Sequence, residues 1–282
     1  MRKLVLLGCL ALALIFLTSC TGVREFGAGL RDAIFSEEEV QPTEPPVPER
    51  ESVTVVIPEG FTFLQIARRL EEHGIVSAQD FFEAAQSFQV QSFETPFSPD
   101  SAFFLEGFLF PDTYEFFREE DPDVVLRRLL NNYAARVLPL MAENNTGLSD
   151  YEILILASII EREVRSSEHM AMVSSVLHNR LDINMRLQVC PTRYYVMDTI
   201  LQSPWYEGDD VVHWLDLYNT YRFAGIPIGP ICNPGIRAIY AALNPVETDY
   251  LFFFFGMDND NHYSRTYAEH RAAMARIGVN FG

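Results

Sequence analysis

The apolar run Leu154-Ile155-Leu156-Ala157-Ser158-Ile159-Ile160, closing on Glu161-Arg162-Glu163, constrains this chain more than any other stretch. A run of that kind belongs to a buried element. The chain has 282 residues, 48% of them hydrophobic, which is enough apolar material for a sizeable core in one or two domains. Ser149 followed by Glu152 fits a capping box, so the spacing predicts a helix that begins there and carries Glu161 about three turns later. Positions 154, 157 and 161 then share one face. Glu161 falls at the flank of the apolar stripe, where partial desolvation raises a carboxyl pKa toward that of a general acid. A second reading stays open: Glu161, Arg162, Glu163 and Arg165 form the solvated end of a core helix, and Arg165, four residues on, keeps Glu161 ionised. Glu163 lies about 200° around the helix from Glu161. It is therefore expected in a salt bridge or structural hydrogen bond rather than on the same reacting bond.

With 39 acidic against 21 basic residues the chain carries a formal charge of −18. Such a surface repels phosphate backbones, so nucleic acid is excluded as a ligand and a neutral or lightly charged glycan is not. Arg2 and Lys3 precede an apolar run of 14 residues, Leu4 to Leu17, with the organisation of a secretory signal. The run is shorter than the roughly 20 residues that span a bilayer as a helix. It closes on Leu17-Thr18-Ser19-Cys20, which resembles a bacterial lipobox. Residues 1–19 are thus expected to be a signal peptide and Cys20 a lipidation site, with an uncleaved transmembrane anchor as the alternative. Residues 20–52 then form a lipid-anchored segment and an acidic, Pro-rich tether. Either anchor holds the folded part at the cell (inner) membrane, facing the periplasm. Of four cysteines, Cys9 leaves with the signal and Cys20 carries lipid, so Cys190 and Cys232 remain. There is no C-x-x-C and no H-E-x-x-H, and neither a metal nor a cofactor is expected.

Along the rest of the chain, Val53 to Ile57 has strand composition and Pro58-Glu59-Gly60 reads as a turn. Phe63, Ile66, Ala67 and Leu70 repeat at helical spacing, and a second helix begins near Asp80. Further helices are predicted over 122–139, 168–181 and 266–277. Residues 250–255 read as a strand that turns back at Asp258-Asn259-Asp260-Asn261, which lacks the glycine and distal glutamate of a calcium loop. The fold class is α+β.

The order of several motifs adds a resemblance. Glu106-Gly107-Phe108-Leu109-Phe110-Pro111-Asp112-Thr113-Tyr114, Ile159 to Glu163, Asn179-Arg180-Leu181, Met185-Arg186-Leu187-Gln188, Pro191-Thr192, Tyr218-Asn219-Thr220-Tyr221 and Gly225 to Gly235 together resemble the endolytic murein transglycosylase (YceG-like) family. The resemblance implies a small LysM-like subdomain over 53–100, binding sugar or only packing, followed by a mixed α+β catalytic domain over 101–282. It also implies lytic cleavage of nascent peptidoglycan glycan strands. In that chemistry one glutamate acts as acid and then as base while the 6-hydroxyl of N-acetylmuramic acid attacks its own anomeric carbon, leaving a 1,6-anhydro end. By motif position the glutamate is Glu161. Gln188, Asn219, Thr220, Tyr221 and Arg186 are the expected substrate-binding residues, and Tyr114, Trp205 and Trp214 could stack on sugar faces or serve the core. Glycan strands, the membrane and the cell-wall synthesis machinery are the implied partners. A glycan hydrolase using water and a non-catalytic peptidoglycan-binding lipoprotein are the alternatives. The sequence departs from the family where Cys190 replaces an acid and Cys232 a small polar residue. Two cysteines at motif loops suggest a disulfide, against two independent inert thiols.

Overall fold

A computed structural model describes residues 50–88, 104–206 and 211–279. The expected signal segment, Cys20 and the tether up to residue 49 lie outside the described residues. Strand β1 (Ser52–Val56) leads through the Pro58–Gly60 turn into helix α1 (Phe63–Glu72). Thr62 starts that helix through a reciprocal capping box with Gln65, and Phe63, Ile66, Ala67 and Leu70 supply its buried face. Ser77 caps helix α2 (Ala78–Ser87). Strand β2 (Thr113–Phe117) then pairs antiparallel with β1, placing Ser52 opposite Phe117 and Val55 opposite Tyr114. The segment expected to be complete by residue 100 therefore closes only on β2. A lone β1 would leave its ladder of backbone donors and acceptors unpaired.

Asp121 and Pro122 open helix α3 (Pro122–Met141). Helix α4 (Asp150–Glu163) follows, and its Ser149–Glu152 capping box forms as the sequence predicts. Every residue from Ile153 to Ile160 is buried, so α4 is a central helix enclosed on all sides rather than an amphipathic surface helix. Around it come α5 (Ser167–Asp182), the short α6 (Cys190–Tyr195) running into a π-turn over Val196–Ile200, α7 (Val211–Leu217) and α8 (Ile236–Leu243). Helix α8 packs along α4 and α5. The hairpin of β3 (Phe252–Phe255) and β4 (Asn261–Ser264) and helix α9 (Tyr267–Ile277), stopped by Gly278 at φ +81°, complete the chain.

One continuous apolar core runs from Val55 and Leu70 through Phe116 to Leu156 and Ile239. Residues 53–88, the described part of the expected first subdomain, thus share their core with the rest, and Arg50–Gly282 form one unit. Gly107 makes one close approach possible. At φ +92° it faces Pro230, and a Cβ there would come within 2.8 Å of the proline ring. Among the described residues no helix is long and apolar enough to cross a membrane.

Candidate active site

Burial of α4 up to Ile160 delivers Glu161 to the place where the helix leaves the core. There a cleft of about 610 Å³ opens, bordered by Glu59, Gly60, Glu161, Arg162, Glu163, Val164, Arg165 and Arg237. It lies off the C-terminal end of α4 rather than along one side. Glu161 and Glu163 consequently both border it, although the helical angle between them pointed to separate environments.

Glu161 Oε2 accepts a 3.0 Å hydrogen bond from the backbone N–H of Gly235, the residue that caps α8. A carboxylate at this position meets the positive end of a helix whose cap supplies no side-chain bond. Burial nevertheless pushes the Glu161 carboxyl above the ordinary carboxylate value. The Gly235 N–H opposes that shift, the nearby Glu59 charge adds to it, and Arg237 and Arg162 pull it back. The expected Arg165 partnership does not form among the described residues. The cations acting on Glu161 are instead Arg237, which bridges Glu59 at 2.9 Å, and Arg162, whose guanidinium donates to the Gly60 carbonyl at 3.3 Å. Glu163 corrects its expectation too. Among the described residues neither an ion pair nor a hydrogen bond reaches its carboxyl, and burial raises it from 4.5 to about 7.

A second buried carboxylate, from the Glu106-Gly107-Phe108 motif, has no role implied by the sequence. Glu106, fully buried, accepts hydrogen bonds from the Phe63 N–H at the start of α1, the Tyr195 hydroxyl of α6 and the Asn233 side-chain amide, at 2.9–3.1 Å. Asn233 in turn exchanges backbone bonds with the opposite turn: Gly60 N–H donates to its carbonyl and its own N–H donates to Phe61. Desolvation raises the Glu106 carboxyl to about 7 against the pull of its donors.

The five expected substrate-binding residues come together in a second cluster, and none of them lines the cleft around Glu161. Gln188, at φ +52°, donates its backbone N–H to Thr220, and Arg186 donates to the Tyr221 carbonyl at 3.0 Å. The Asn219 side chain accepts from the Tyr221 N–H. Thr220 is buried, with its hydroxyl committed to Val189 and Thr192, so this residue shapes the loop and is not open to a sugar. Arg186, Gln188 and Tyr221 are the exposed members, and the Glu163 charge acts on the Tyr221 phenol, bringing this cluster into electrostatic reach of the cleft. Of the aromatic candidates, Tyr114 is buried and bonded to the Phe110 carbonyl, while Trp205 stacks on Phe82 at 4.5 Å. Both serve packing.

The expected Cys190–Cys232 bridge is absent, and both thiols are free. Cys190 opens α6 on the surface, its sulfur 2.9 Å from the Tyr221 hydroxyl. Cys232 points inward against α4, where it donates to the Ser158 carbonyl, and burial pushes its thiol pKa well up.

Comparison with known proteins places these features in context. The YceG-like family matches residues 38–276. The chain is 34% identical over 181 residues to an endolytic murein transglycosylase of Bacillus subtilis, covering 60% of this chain and 47% of that protein. It is 26% identical over 244 residues to an endolytic murein transglycosylase of Streptococcus pneumoniae, covering 77% and 44%. The chain thus spans about half the length of the curated relatives it matches. A solved structure of a yceG-like protein from Listeria monocytogenes superposes with a TM-score of 0.63 at 28% identity, covering 78% of this chain and 75% of that one.

Proposed function

The chain belongs to the YceG-like family, and from that premise we propose that it is an endolytic lytic transglycosylase of peptidoglycan with Glu161 as its acid and base. The observation that carries this reading is the placement of Glu161. It lies at the end of a buried helix, bordering a cleft, with Oε2 held by Gly235 and Oε1 without a partner among the described residues. A carboxyl whose burial favours the protonated form can deliver a proton from Oε1 to the glycosidic oxygen as the bond from that oxygen to the anomeric carbon breaks. The carboxylate so formed is stabilised by the Gly235 N–H and by Arg162 and Arg237. It then accepts the proton of the muramic 6-hydroxyl as that oxygen closes on the anomeric carbon. The proton returns to Glu161 and no water is consumed. Because the nucleophile belongs to the same sugar, its effective concentration is high and a single carboxylate suffices.

A lipid on Cys20, or a transmembrane anchor in its place, would hold the cleft on the periplasmic side, next to nascent strands leaving the synthesis machinery. A second reading draws on Glu59 and Glu163, which border the same cleft. A glycan hydrolase needs such a second carboxylate to activate water. Mass spectrometry of products from undigested glycan strands separates the two, with 1,6-anhydro ends expected here and reducing ends expected from hydrolysis. Binding to sacculi without product release would favour a non-catalytic wall-binding role.

A further inference from the structure

The Pro58–Gly60 turn has no assigned part in the chemistry, yet it forms one wall of the cleft. Its backbone is clamped to the loop before α8 by the reciprocal bonds between Gly60, Phe61 and Asn233, at 2.8–2.9 Å. The Arg162 guanidinium donates to the Gly60 carbonyl from the third side. Within that clamp the Glu59 carboxylate lies directly on Gly235. A Cβ built at Gly235 would stand 2.0 Å from Glu59 Oε1. Gly235 has φ −76°, a backbone any residue can adopt, so glycine is required there for space and not for conformation. The same Gly235 donates its N–H to Glu161. One glycine therefore brings two carboxylates together, one resting on it and one bonded to it.

We propose that Glu59 is a positioning residue for Glu161: held over Gly235 by Arg237, it sets a second carboxylate beside Glu161 and so favours the proton-bearing form of Glu161. This rests on the reading of Glu161 as the general acid. The charged and titratable groups around Glu161 are Arg162 and Glu163 on its own helix, Arg165 just beyond it, Glu59 on the turn, Cys232 on the loop and Arg237 on α8. Among them Glu59 acts in two ways. As a like charge it disfavours ionisation of Glu161. As the partner of Arg237 at 2.9 Å it also offsets part of the pull by which that guanidinium favours the Glu161 carboxylate. The Glu161 shift has the direction this arrangement requires, with Glu59 among its causes.

The test is the pH dependence of kcat/KM for the full chain in detergent on undigested glycan strands. Its alkaline limb reports loss of the proton from the general acid of the free enzyme. Glu59→Gln should move that limb to lower pH by about one unit, Arg237→Gln should move it to higher pH, and the double variant should fall between them. An unmoved limb in both folded single variants, with turnover reduced alike at every pH, would overturn the proposal and leave Glu59 a structural brace. If the wild-type chain releases no product, the functional reading fails separately. Glu59 is then judged by NMR titration of the Glu161 carboxyl carbon, where a lower midpoint in Glu59→Gln supports the proposal and an unchanged one refutes it.

Discussion

At the scale of single residues, the two glutamates at the end of α4 face the same cleft and differ in their partners. Glu161 keeps a backbone donor and nearby cations, whereas Glu163 has only its burial. A carboxyl raised from 4.5 to about 7 on folding contributes stability that is full below pH 4.5 and is lost as pH climbs through 7, because above that the folded state must hold a buried charge. Glu163→Gln removes that ionisation. It should match the wild-type melting temperature at pH 4 and exceed it at pH 8, where its unfolding free energy should be higher by an amount on the order of 1–3 kcal/mol. Equal melting temperatures at both pH values would contradict the buried charge. The cysteines teach a related lesson. Both occupy family motifs, and sequence position suggests a pair, but Cys232 faces the core from its loop and Cys190 opens α6 on the surface. Which way a loop residue points depends on packing that no spacing in the sequence encodes.

At the scale of elements, the legible parts are those with local causes. The Ser149–Glu152 box and the apolar run specify α4, and the period of Phe63, Ile66, Ala67 and Leu70 specifies α1. Helix α6, its π-turn and α8 carry no such signal, since the first two are too short for a periodic pattern and α8 follows a Pro- and Gly-rich loop. Long-range junctions were equally invisible: Glu59 and Arg237 are 178 residues apart, and Glu106 and Asn233 are 127 apart. Glu106 joins α1, α6 and the loop before α8, so its replacements should sort by how many donors they satisfy. Glu106→Ala leaves the Phe63 N–H, the Tyr195 hydroxyl and the Asn233 amide without their buried acceptor, and should cost roughly 3–5 kcal/mol in chemical denaturation. Glu106→Gln keeps one oxygen for Phe63 and Asn233, and the Tyr195 hydroxyl can turn to accept from the new amide, so its cost should be less than half as large. Equal losses would show that the network is not what the carboxyl provides.

At the scale of the whole molecule, pairing of β1 with β2 draws the N-terminal segment into the same core as the rest and makes its Glu59 turn a wall of the cleft. The pairing partner of β1 lies beyond two helices in the chain, which is why local sequence signals place the boundary near residue 100. Of the two anchors proposed for a membrane setting, the lipid depends on Cys20. Metabolic labelling with a fatty acid should mark the wild-type chain and not Cys20→Ala, and labelling that persists in the variant would contradict lipidation at that site. The central claim is that Glu161 moves the proton. Its most direct measurement is mass spectrometry of fragments released from undigested glycan strands by the wild-type chain and by Glu161→Gln, whose amide keeps the shape and cannot deliver a proton. The account expects 1,6-anhydro ends from the wild type and at least about a 100-fold loss in the folded variant, whereas a folded Glu161→Gln that still releases anhydro ends at a rate near the wild type would contradict it.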